Sequence, residues 1–367
     1  MGDTVTLLLC GDVMLGRGLD QVLAHPGDPT LHETYVHDAR GYVDLAEQVS
    51  GEIPRPVEDT WPWGEALNEI ERSRPGILIV NVETSVTTSG DFAPGKAIHY
   101  RMSPDNLGCL VAAHPDVCVL ANNHILDLGP RGLEESLQRL AAAGLATAGA
   151  GHDLASALAP AVVSPEGTTT VSVLAYAHRS SGVPAGWAAD LRRTGVALLP
   201  DLSARTAAAI AVRIEREKAR GAIVVVSLHW GSNWGFDIPG AQVLFAHRLV
   251  DAGADIVHGH SSHHPRPIEV YADRLVLYGC GDFINDYEGI GGHEEYRGDL
   301  RLLYRVAVSP DGTLVGVDLV PFRSRRLRLE RAVASDVQWL VTLLDTESRK
   351  YGVRLRDTPD EMIALDW

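Results

Sequence analysis

With 367 residues, 45% of them hydrophobic, the chain can bury one large core or two small ones. Its 48 acidic side chains against 32 basic ones leave a formal net charge of -16; that argues against a nucleic-acid backbone as main partner, since phosphate neutralisation needs clustered Lys and Arg. No apolar run approaches the roughly 18 residues of a membrane-spanning helix, and none of the cysteines (Cys10, Cys109, Cys118, Cys280) stands in a CxxC pair, which argues against a thiolate zinc site.

The N-terminal stretch TVTLLLCGD reads as a strand rather than a signal peptide, because its apolar run is short and no basic region precedes it. A cytoplasmic protein with no membrane partner is expected. Residues 24–62 carry Pro26, Pro29, Pro54 and Pro56 and read as an irregular insertion or lid. Further apolar runs of strand length follow: GILIVNVE, VCVLANNH, TVSVLAYA, AIVVVSLHWG, ADIVHGH, RLVLYGCGD and LLYRVAV. Most are continuous rather than alternating, as in strands covered on both faces. Helical patterns lie between them, clearest in PRGLEESLQRLAAAGLATAGA, with Pro130 at its start and Gly144 near its end. DLSARTAAAIAVRIEREKARG and GAQVLFAHRLVDAGAD are two more. Alternating strands and helices imply an α/β layered fold. From about 265 to 320 no long helix intervenes, so antiparallel pairing is expected there. Residues 1–330 read as one domain and 331–367 as a C-terminal helical extension containing SDVQWLVTLLDTESRKYG.

The strand ends share a character. They terminate in Gly11-Asp12, in Asn81-Val82-Glu83, in Asn122-Asn123-His124, in His229, in His258-Gly259-His260 with His263 just beyond, and in Gly281-Asp282. In open α/β sheets ligands bind outside the carboxyl ends of the strands. Six such endings would bring carboxylates, amide and imidazoles to one rim, the donor set of a metal centre built from hard oxygen and imidazole nitrogen. Asn123 can ligate through its carbonyl oxygen. His124 would sit beside the metal without binding it, and Asp127 could orient that imidazole. Asn122 suits either the site or a turn.

GDVMLGR, NVETSVT, NNHILDLG, HWG, GHSSHHPRPIEVY and LYGCGDFINDY, in this order from about residue 5 to 290, resemble the motifs of the CapA family of poly-γ-glutamate synthesis proteins, relatives of the calcineurin-like metallophosphoesterases. The resemblance implies a four-layer αββα sandwich with metal ligands on the strand-end loops. It implies Asp12, Glu83, Asn123, His229, His260 and His263 as metal ligands, with Glu83 bridging, and His124 as the acid. His258-x-His260 competes with His260-x-x-His263 as the final histidine motif. Met14 stands where the phosphoesterases have a histidine, and a thioether is a poor ligand for hard divalent metals. Asp282 stands where many CapA relatives have asparagine.

The implied cofactor is one or two divalent transition metal ions (Mn, Fe or Zn). Two such ions activate a water and clamp the oxygens of an in-line displacement. Arg17 and Lys96 are expected to grip phosphate or carboxylate, with His124 and Asp127 in catalysis and Asp282 beside the substrate. The expected activity is hydrolysis of a phosphoester or a γ-glutamyl or amide-type bond in a small-molecule or peptide-like anionic substrate. The alternative is an accessory, non-hydrolytic role in poly-γ-glutamate synthesis.

Overall fold

The computed structural model describes residues 4–74, 76–164 and 169–367. It is a mixed α/β protein carried by two large sheets. The first sheet runs Arg354–Asp357, Ile363–Asp366, Leu314–Ser324, Leu300–Val308, Val5–Val13, Ile77–Val82, Val117–Val119, Ala146–Ala148. Val5–Val13 is its pivot. It lies parallel to Ile77–Val82 and antiparallel to Leu300–Val308. Near its end a short strand, Asp282–Ile284, takes over on the latter side in parallel register, with Asp12 opposite Asp282. The exchange happens at Gly11, where a Cβ would lie 1.6 Å from the Gly281 carbonyl oxygen. Only glycine permits that approach.

The second sheet runs Leu198–Leu199, Val171–His178, Ile223–His229, Ile256–His260, Arg274–Leu277, Ile268–Tyr271. It is parallel apart from the hairpin joining its last two strands and from Ala161–Val163, which pairs antiparallel with Val171–His178. Its strands are largely apolar because both faces are covered. In Ile223–His229, Ile223 and Val225 join the core shared with the first sheet. Val224, Val226 and Leu228 instead pack with Ile210 and Ile214 of the helix Ala204–Lys218 and with Phe245 and Leu249 of the helix Gly240–Asp251. Side chains alternating across a strand produce this division. The helix Gly129–Ala142, with Pro130 in its first turn, sends Leu133, Leu137 and Leu140 into the shared core.

Two expectations need correction. The stretch from 265 to 320 is only partly antiparallel: Arg274–Leu277 pairs in parallel with Ile256–His260, and Asp282–Ile284 in parallel with Val5–Val13. The tail holds its helix, Ala334–Ser348, yet is more than helical, since Arg354–Asp357 and Ile363–Asp366 extend the edge of the first sheet. The four cysteines are free and buried, in keeping with small apolar side chains. No helix among the described residues is long and apolar enough to cross a membrane.

Candidate metal centre

The six polar strand ends do gather, but the rim is composite. The first sheet brings Asp12, Glu83, the Asn122–His124 turn and Asp282; the second brings His229 and His260. Asp12, His229 and His260, all buried, offer ligand atoms within 4.8 Å of one another. His229 Nδ1 and His260 Nδ1 lie 2.8 Å apart, and His260 Nδ1 lies 3.7 Å from Asp12 Oδ1. Around this triad, Asn123 Oδ1 is 2.8 Å from His229 Nε2, and Glu83 Oε1 is 3.8 Å from the same nitrogen. His263 stands further out, joined through its Nδ1 to Asp282 Oδ1 at 2.9 Å.

Strand periodicity explains how the centre is braced. Asn81 and Glu83 lie two residues apart, as do Ser227 and His229. Asn81 Nδ2 donates to Asp12 Oδ1 at 2.7 Å and to Glu83 Oε2 at 3.2 Å. Ser227 Oγ sits 2.8 Å from His260 Nε2. Asn122 is the turn residue: its Oδ1 accepts from the backbone N–H groups of His124 and Ile125, while its Nδ2 donates to Asn81 Oδ1. His258, the competing ligand, has its Nε2 2.9 Å from the Cys10 carbonyl oxygen and its Nδ1 3.2 Å from Ser227 Oγ. Both of its nitrogens are therefore engaged within the framework.

The electrostatics suit a cation. Burial, then the charge of Asp282, pushes Asp12 up to about 7, and burial followed by Asp12 raises Glu83 well above the usual carboxylate range. Burial also holds His229 and His260 well below the usual imidazole range, so both stay neutral. Neutral imidazoles beside carboxylates that resist ionising are a donor set short of positive charge. Hard oxygen and borderline nitrogen together fit Mn, Fe or Zn. Met14 is fully buried next to this set and adds no imidazole.

His124 lies at the edge of the centre. Its Nδ1 is 2.6 Å from Asp127 Oδ2, and its Nε2 faces Glu83 Oε1 at 3.7 Å. Burial lowers this imidazole to about 4 against the opposing pull of Asp127.

Two basic residues are engaged by protein partners, and one of them, Arg17, also borders the cavity beside the centre. Lys96 Nζ donates to Asp127 Oδ1 at 2.5 Å and to the Asn123 carbonyl oxygen, and lies 3.2 Å from His124 Nδ1. It holds the His124–Asp127 pair from behind. Arg17 is 3% exposed, and each of its three nitrogens has a carboxylate partner. Nε and one terminal nitrogen reach Asp286 at 3.1 and 2.5 Å, and the other reaches Glu33 at 3.0 Å. Its guanidinium lies between the rings of Tyr42 (3.8 Å) and Tyr100 (4.4 Å). These contacts tie the 24–62 segment, through Glu33, to the loop after Asp282, through Asp286. Asp282 likewise spends both oxygens on protein partners, His263 and Asn285.

A cavity of about 650 Å3 opens beside the centre, with His263, Asp282, Trp234, Tyr287, Arg301 and Arg325 in its wall.

A family model described as bacterial capsule synthesis protein PGA_cap matches residues 6–287. A probable polyglutamine synthesis accessory protein of Mycobacterium tuberculosis is 50% identical over 365 residues, covering 99% of this chain and 96% of that one. The PGA biosynthesis protein CapA of Bacillus subtilis is 31% identical over 284 residues, 77% of this chain and 64% of that one. Among solved structures, a hypothetical protein from Thermus thermophilus aligns with a TM-score of 0.46 at 15% identity, over 87% of this chain and 99% of that one.

Proposed function

The chain belongs to the bacterial capsule synthesis protein family, and on that premise we propose that it is a metal-dependent hydrolase acting on a phosphoester or a γ-glutamyl or amide-type bond. The observation that carries this reading is the pairing of the Asp12–His229–His260 cluster with an imidazole, His124, that points at it without joining it. Asp12, Glu83, Asn123, His229, His260 and His263 are the residues we assign to one or two divalent transition metal ions. Bound metal supplies Lewis acidity and a water activated near neutral pH.

The chain's own residues do the rest. His124, lying against Glu83 with its Nδ1–H held by Asp127, presents a bare Nε2 to the site, takes up there the proton released by the attacking water and hands it on to the leaving group. Asp127 and Lys96 fix the direction of that ring. The neighbouring cavity receives the remainder of an anionic, small or peptide-like substrate. We read the two sheets and their flanking helices as the four-layer αββα sandwich of the metallophosphoesterases; the support is the core common to both sheets and the helices on the far face of the second. Residues 1–330 would form that domain.

An accessory, non-hydrolytic role in poly-γ-glutamate synthesis is the second reading. The name of the 50% identical mycobacterial relative favours it. Elemental analysis of the purified protein, followed by a panel of chromogenic phosphoesters and γ-glutamyl substrates, separates the two. Bound metal with turnover supports the hydrolase; bound metal with no turnover of any member of the panel leaves the accessory role.

A further inference from the structure

Two tyrosine hydroxyls lie between the two histidine wings of the centre. Tyr100 sits on the His124 side: its ring meets His124 edge-on at 4.5 Å, and its backbone N–H donates to Asp127 Oδ2 at 2.7 Å. Tyr287 sits on the other side, with its ring edge-on to His263 at 5.3 Å. Tyr100 donates its hydroxyl hydrogen to the Tyr287 oxygen at 2.6 Å.

That direction has a chemical consequence. A pair of hydroxyls bonded to each other leaves one proton over. Tyr100 is fully buried, so a spare proton on it would have neither water nor protein to accept it, at a cost. Tyr287 lines the cavity, where a spare proton can reach a ligand. Among the described residues Tyr287 donates its hydroxyl to no protein atom. The pair is also held still: the Arg17 guanidinium lies over the Tyr100 ring and is itself fixed by Asp286, next to Tyr287 in sequence. A donor locked in place on the wall of the cavity needs no reorganisation when negative charge develops on a substrate oxygen.

We propose that the Tyr287 hydroxyl donates a hydrogen bond to an oxygen of the reacting phosphoryl or acyl group, on the His263 side of the centre, with Tyr100 as its positioning residue. No proton is transferred in this step; the hydroxyl stabilises the oxyanion while His124 protonates the leaving group on the other side. The inference rests on the hydrolase reading above.

Tyr287→Phe keeps the ring and removes the donor. In protein reconstituted with Mn²⁺, kcat should fall on the order of 10²-fold, as for loss of one oxyanion donor, with KM and metal content close to wild type. Tyr100→Phe should lower kcat by about tenfold, again at constant KM, because the Tyr287 hydroxyl then rotates freely. Wild-type kcat in Tyr287→Phe overturns the proposal and leaves the hydrolase reading standing. If the wild type turns over no substrate, binding of inorganic phosphate to the Mn²⁺-loaded protein decides. Weaker binding in Tyr287→Phe by about tenfold supports the donor role. Equal affinity in the two proteins, or no binding by the wild type, removes it.

Discussion

His124 Nδ1 lies 2.6 Å from Asp127 Oδ2, and Lys96 Nζ lies 2.5 Å from the other oxygen of the same carboxylate. One buried acid thus fixes an imidazole and neutralises an ammonium at once. A ring held this way turns its second nitrogen towards the centre rather than adding to it. His124→Ala should keep its metal and lose activity on the order of 10²–10⁴-fold. Metal loss equal to that of His229→Ala would make His124 a ligand instead.

His229 is one of the second sheet's links to the first at this rim, touching Asn123 and facing Glu83. His229→Ala should sharply lower bound metal, read by elemental analysis, while circular dichroism stays native. Unchanged stoichiometry would remove His229 from the ligand set.

Met14 supplies no imidazole, so one ion should bind tightly and any second weakly. Met14→His should raise stoichiometry towards two per chain. Two equal, tight sites in a titration of the wild type would contradict this.

Buried imidazoles set the acid limit of the metal-free protein. Burial lowers His258 and His264 to about 4, from an ordinary value of 6.5. Below pH 6.5 the unfolded chain takes up protons that the folded one refuses, so stability is full above 6.5 and drains as pH falls towards 4. Each of the two accounts for a loss on the order of 3 kcal/mol across that window. Asp12, held protonated up to about 7, and Glu83, raised well above the usual carboxylate range, act with the opposite sign, against the lowered imidazoles of His124, His229, His258, His260 and His264. Urea midpoints of chelator-treated protein between pH 8 and 4 should fall steeply there, and His258→Asn should flatten the slope. An unchanged slope in that variant would mean that His258 does not contribute.

Gly11 faces the Gly281 carbonyl with no room for a methyl group. Gly11→Ala should cost about 1–3 kcal/mol by overpacking and, by parting Asp12 from Asp282, weaken metal binding. Native thermal stability together with native metal content in this variant would refute the close approach.

Much of this was legible in the chain. Continuous apolar runs that end abruptly in Asp12, Glu83, His229 and His260 announce a covered strand with a polar tip before any tertiary structure is known. Asn81 and Ser227 could have been found by the same logic, since each lies two residues before a candidate ligand on its own strand. The basic residues were not legible. Nothing local to Arg17 reveals that its partner Asp286 waits 269 residues away, and Lys96 gives no sign that its ammonium meets Asp127 rather than a ligand. The division of the ends between two sheets was hidden for the same reason: a strand's sequence shows that its faces are covered, not which sheet it joins.

The composite rim also dictates when the centre can come into being. Asp12 leaves the ribosome long before the Ser261 amide that caps its Oδ2, which follows 249 residues later, directly after His260. Until then the nascent protein lacks His260 and the amide that holds Asp12 in place. The first strand lacks its antiparallel neighbour Leu300–Val308 for longer still. An ion therefore cannot seed the fold from the first strand. It can only seal, late, two sheets that have already found each other, and its binding free energy is added to the finished structure.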